Sequence, residues 1–284
     1  MLGILLTAIA LIWLLAAAIF DFKTREIPDW LSYSLTAIVI LAYLTASLQE
    51  SSFSPLLWSI LTALLFAILA LLLYFTRQWV GGDVKLFIAL GAAFPRYPAE
   101  LLAILNPDLS LPFPLIILIN LAVIAVLYSL LYLIILILQH QKQFNQEIKK
   151  HPYKKLKLLI IFAALLILIF TWRSPQQFLA ITLIILLLLF PYLLAATKSI
   201  EKVAMLKEIS IHDLTPGEWL AEDIYDRNRK LISHSQPELT PHHIALLKKH
   251  NIKSVKVKLG IPFAPTFFLS LLLSLLFGNI IRIF

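Results

Sequence analysis

Long apolar runs separated by short polar joints dominate the chain. Runs at 2–20, 30–48, 55–76, 84–105, 112–138, 157–172, 176–196 and 261–283 each approach the ~20 residues that carry an α-helix across ~30 Å of hydrocarbon. Because backbone polar groups in lipid must be satisfied within the segment, such runs predict helices, about eight in all. Pro95, Arg96 and Pro98 interrupt the fourth run, so its membrane part is expected to stop near Phe94 and the remainder to lie at the outer surface. The first run has no basic segment before it and carries Lys23 and Arg25 just after it, the reverse of a cleavable signal peptide. It reads as a retained helix with its N-terminus outside.

The one sizeable polar segment, 198–259, lies before the last run. Its pattern predicts a helical extension over 197–207, strands near 208–213 and 230–234, and a Thr-Pro-Gly turn within 214–226. Thr240-Pro241 reads as an N-cap and first helical residue of a helix ending near Asn251, and Ser-Val-Lys-Val-Lys at 254–258 alternates as a half-buried strand does. The predicted fold is therefore an all-α polytopic membrane protein with a small α+β cytoplasmic domain inserted before its last helix. The expected organisation is membrane helices over 1–138, a basic loop over 139–157, a helix pair over 158–197, the small domain over 198–259 and the last helix over 260–284.

Composition agrees: 60% of the 284 residues are hydrophobic, 14% are charged and the mean hydropathy is +0.89, outside the usage of soluble domains. The net charge of +8 is explained by where the cations sit. The joints at 21–29, 77–85, 139–157 and 198–259 hold 2, 2, 6 and 11 of the 24 Lys and Arg, leaving Arg96, Arg173 and Arg282 on the other side. By the positive-inside rule the first set is cytoplasmic and both termini are outside. No basic stripe interleaved with aromatics points to nucleic acid; the expected surroundings are the lipid bilayer of the cell membrane. Cysteine is absent, which removes disulfides and Cys-ligated zinc. The seven histidines lack the spacing of a zinc protease, so no metal is predicted.

Two acids stand out at the cytoplasmic ends of apolar runs. Asp21 ends the first, and Asp83 follows Gly81-Gly82 where the fourth begins. Two glycines let the backbone bend and come close to another chain, and an acid behind them is favoured by the helix dipole. As isolated features they read equally as helix caps. Ionisable groups at a helix centre cost ~2.5–3.5 kcal/mol and tend to mark function, although near helix ends the cost is smaller.

Taken together, Asp21 followed by five residues and Ile27-Pro28, Gly82-Asp83-Val84-Lys85, and Pro262-Phe263-Ala264-Pro265 resemble the GxGD-type membrane aspartyl proteases, and among them the type IV prepilin and preflagellin peptidases. Val80 stands where the family's first glycine falls, with Gly81 beside it. The resemblance implies an aspartic endopeptidase with Asp21 and Asp83 as the catalytic pair and Gly81, Gly82 and Lys85 as its support. No cofactor is implied. The partners implied are pilin or archaellin precursors, whose short leaders are cut at the cytoplasmic face. Because such precursors carry Lys or Arg before the cut, Glu26 and Asp29 become candidates for reading that charge; capping of the second helix is the structural alternative. Lys85 is equally read as a lysine anchored at the membrane surface. The other functional reading is a non-catalytic transporter or assembly scaffold, in which the two acids would bind cations or cap helices.

Overall fold

The computed structural model describes residues 2–150, 160–162, 165, 167, 177–226, 229–233 and 238–283. Four helices among them are long and apolar enough to cross a membrane: α1 (Leu2–Thr24), α2 (Asp29–Gln49), α3 (Ser54–Phe75) and α6 (Phe113–Gln139). The expected fourth run splits into α4 (Gly81–Ala93) and the short α5 (Ala99–Leu105), broken at the Phe94–Pro98 stretch as its prolines require. After α6 come α7 (Gln141–Ile148) and α8 (Gln177–Ile200), and the last apolar run forms α10 (Ala264–Phe277). Most of the expected run at 157–172 lies outside the described residues. The chain is thus a mostly helical, multi-pass membrane protein with a small sheet-containing region.

The two short helices form the centre. α4 packs between α2 and α3, and α10 between α1 and α6. At 1.5 Å per residue α4 and α10 are only about 20 Å long, against about 35 Å for α1. Both are tied down at their C-terminal ends. Ser59 of α3 and Tyr43 of α2 donate to the carbonyls of Ala92 and Ala93, supplying partners that lipid cannot give to the orphan carbonyls of a helix end. At the end of α10, buried Asn120 donates to the Gly278 carbonyl and the Ser274 hydroxyl and accepts the Ile280 N–H. Tyr97, just after α4, donates to the Leu275 carbonyl and joins the two ends. With one pair of ends fixed together, both short helices begin part-way down the bundle.

Tight packing sets how close α4 comes to its neighbours. Gly91 faces Phe66 of α3, and a Cβ there would sit 2.5 Å from the ring. Toward its other end, Phe87 and Trp79, 4.9 Å apart, pack against Phe263 and Phe267 at the start of α10 at centroid separations of 5.4–5.6 Å, so an aromatic cluster joins the starts of the two short helices.

The small domain follows α8 through a π-helical turn, Glu201–Met205. Strand β1 (Leu206–Ser210) pairs antiparallel with β5 (Ser254–Lys258), which also pairs with β2 (Trp219–Leu220); β3 (Ile224–Asp226) and β4 (Arg229–Ile232) form a separate pair. The helical extension expected to Lys207 stops short of it, because Leu206 and Lys207 are taken up by pairing with Lys258 and Val257. Helix α9 (Pro241–Lys249) starts at Thr240, whose hydroxyl accepts the His243 N–H while the His243 ring accepts that of Thr240. Val255, Val257, Leu247, Ile232 and Leu239 make the core. Because β1 and β5 are neighbours, the domain leaves and rejoins the bundle at one point, with the Leu259 N–H on the Met205 carbonyl.

Candidate active site

Asp21 lies in the last turn of α1, 6% exposed. The helix ends at Arg25, which takes a left-handed conformation (φ 61°) and donates to the Gly260 carbonyl and the Tyr132 hydroxyl. The Asp21 carboxylate accepts the Ala264 N–H at 2.8 Å. Ala264 is the first residue of α10, so Asp21 caps that helix from across the bundle, and the Pro262-Phe263-Ala264-Pro265 stretch gains a physical role. Pro265 sits in the first turn, where its missing N–H costs nothing, and the free N–H groups of that turn face an acid.

Asp83 is the third residue of α4, 8% exposed, and its carboxylate folds back onto the Val80 N–H at 3.3 Å. The two motifs touch directly. A Cβ on Gly82 would stand 3.1 Å from the Ile27 Cβ, so the Ile-Pro joint and the Gly-Gly turn approach as closely as glycine allows. Asp21, Asp83, Gly81, Gly82, Lys85, Glu26 and Asp29 all line one cavity of about 2020 Å3 between the helix ends and the small domain. The seven candidate site residues are therefore brought to one place.

Their partners differ from the simplest expectation. Lys85 pairs with Asp29 at 2.5 Å and lies over the Tyr33 ring, so one expected support residue neutralises one expected charge reader. Glu26 accepts the Thr215 hydroxyl at 2.7 Å. Thr215 also donates its N–H to Glu218, and burial pushes the Glu218 carboxyl up, with Glu26 adding to the rise. Glu238 is a further acid not singled out in the sequence. Its carboxylate accepts the Gly81 N–H at 2.7 Å; burial pushes this carboxyl up, against the pull of that N–H and of Lys85. No local pattern marks Thr215, Glu218 or Glu238, since docking of the small domain alone puts them here.

The fold and this cavity define a class: a polytopic membrane protein with two buried aspartates, from separate helices, at one opening. The type IV leader peptidase family matches residues 8–139, a stretch holding both aspartates and both glycines, and this part of the chain is a domain of that family. Among relatives, the chain is 30% identical to prepilin peptidase EppA of Methanothermobacter thermautotrophicus over 193 residues, covering 64% of this chain and 50% of the relative. It is 27% identical to preflagellin peptidase of Methanococcus voltae over 158 residues, 54% of this chain and 64% of the relative. The matched part thus spans between half and two thirds of these relatives. No solved structure matches the chain.

Proposed function

We propose that the protein is a membrane aspartic endopeptidase in which Asp21 and Asp83 form the reacting pair, and that it removes the leader from prepilin or preflagellin precursors at the cytoplasmic face. The observation that carries this reading is the presence of two buried carboxylates, from α1 and α4, on the wall of one cavity within the family-matched segment. The names of the two relatives supply the substrate class. In the same reading there are eight spans, the joints rich in Lys and Arg are cytoplasmic, and both termini are outside.

Two carboxylates sharing such a site do not both ionise readily and hold one proton between them. The charged one takes a proton from water as its oxygen adds to the scissile carbonyl carbon, and the neutral one gives its proton to the carbonyl oxygen. As the adduct collapses, the C–N bond breaks, the first carboxyl protonates the leaving nitrogen, and a hydroxyl of the adduct returns a proton to the second. The products are an acid and an amine, and the pair again holds one proton. Leu73 of α3 and Leu121 and Ala125 of α6 also line the cavity, which suits an apolar segment flanking the cut. The leader cation meets Glu26 and Glu218 in this reading, because the charge of Asp29 is engaged by Lys85.

Asp21→Asn and Asp83→Asn are each expected to abolish leader loss, followed by mass on co-expressed precursor, with the protein still accumulating in the membrane. Asn retains an acceptor for the Ala264 or Val80 N–H, so folding is preserved while proton exchange is lost. Cleavage near the parental rate by either variant would sink the two-aspartate mechanism.

A further inference from the structure

The start of α4 lacks something its own sequence ought to supply. An N-cap side chain normally accepts an N–H of the first turn, but the residue at that position is Val80, which has no acceptor. Asp83 turns back to the Val80 N–H, leaving the donors of the following residues to be met from elsewhere. Gly81 donates to Glu238, 157 residues downstream, at 2.7 Å.

Glu238 is held firmly in its own domain. Its neighbour Leu239 is 3% exposed in the small-domain core, and the backbone of Leu239 exchanges hydrogen bonds with Gly217 and Glu218. A second tie, Thr215 to Glu26, fixes the same edge of the domain against the joint between α1 and α2. A charged acceptor on a backbone N–H is roughly twice as strong as a neutral one and gains further from the helix dipole. The Glu238 carboxylate also packs directly on Gly81, since a Cβ there would lie in ordinary van der Waals contact with it, at 3.5 Å.

We propose that Glu238 is a positioning residue: from the small domain it supplies the acceptor that Val80 cannot, and thereby fixes the Gly81-Gly82 turn that presents Asp83. The proposal rests on the two-aspartate reading above. It gives the small domain a task in the reaction, because undocking that domain releases the turn carrying one of the reacting groups. Glu238 lies outside the family-matched residues 8–139, so the device belongs to the remainder of this chain.

The test uses the full-length chain in membranes with co-expressed or added precursor, at matched protein levels. Glu238→Ala is expected to lower kcat about ten-fold with KM little changed, the effect of losing an N-cap worth about 1.4 kcal/mol. Glu238→Gln, which keeps the acceptor oxygen, should stay within about three-fold of the parent. Adding Val80→Ser to Glu238→Ala should restore most of the rate, because Ser supplies an acceptor to the same turn from its own position. A parental rate in Glu238→Ala overturns the proposal, as does a Glu238→Gln variant as impaired as the Ala variant, which would assign Glu238 a proton or charge function. A Val80→Ser addition that restores nothing also overturns it. Asp83→Asn in the same assay separates the two readings: if it is inactive while Glu238→Ala is parental, only the positioning role fails, whereas an active Asp83→Asn removes the reading on which it rests.

Discussion

At the scale of single residues, the site depends on atoms that are absent as much as on those present. Gly82 lets the Ile27 side chain and carbonyl close onto the turn before Asp83, and Gly91 lets Phe66 lie flat against α4. The two differ in how much room a methyl would find. At Gly91 the three nearest atoms all belong to the Phe66 side chain, at 2.5–2.9 Å, and its ring is buried between helices and also packs on Phe87. Gly91→Ala is therefore expected to cost about 1–3 kcal/mol through overpacking, read as a lowered thermal midpoint in detergent. Gly260→Ala, with nothing within 4 Å of the added carbon, should change stability by no more than about 0.5 kcal/mol. Equal midpoints for the two variants would show that α3 and α4 are not held at the separation described. The aspartates carry a double load of the same kind, since Asp21 caps α10 and Asp83 folds onto the turn that bears it. Neither bond is visible in the sequence beyond the bare presence of an acid near a helix end.

At the scale of elements, the arrangement is two short helices whose C-terminal ends are fastened together and whose N-terminal ends open toward two acids. Much of this was legible. Prolines after Phe94 marked the end of α4, the Gly-Gly-Asp turn marked its start, and Ser-Val-Lys-Val-Lys marked β5, because each is a local signal read over a few residues. The two-residue β2 and three-residue β3 were not legible, being too short for alternation to show. The Lys85–Asp29 pair and the Thr215–Glu26 contact escaped for a different reason: they are set by which elements pack together, and charge patterning within one helix says nothing of a partner 56 or 189 residues away. That distinction bears on specificity. Asp29 already has a cation in direct contact, whereas Glu26 and Glu218 are bridged by Thr215, with Lys207 acting on Glu218 from further off. A leader cation ~6 Å from a carboxylate would gain about 3 kcal/mol at an effective dielectric of ~20, reduced by exposure and salt to about 1 kcal/mol. Glu26→Lys should accordingly reduce the preference for Lys over Glu before the cut by about five-fold, and Asp29→Lys should change it less. Cleavage assays on the two precursors with both enzymes decide it; an unchanged preference in Glu26→Lys would make this acid purely structural.

At the scale of the whole molecule, the chemistry requires that both aspartates and the small domain lie on one side of the membrane, and two independent arguments arrive there. In the proposed orientation, the distribution of Lys and Arg makes the joints at 21–29 and 77–85 and the segment 198–259 cytoplasmic. The packing puts residues from all three around one cavity, which a bilayer between them would forbid. The first argument assigns the side and the second only requires that it be shared, so a direct measurement of side tests the orientation without disturbing the fold. With no native cysteine, single introduced ones report alone. Ser52, in the joint between α2 and α3, and Gln146, on α7, are both exposed and lie on opposite faces in this orientation. On intact cells an impermeant thiol reagent should label Cys at Ser52 and not at Gln146, with both labelled once the membrane is opened. The reverse pattern would place the cavity outside, where the leader of a precursor still in the cytoplasm could not reach Asp21 and Asp83.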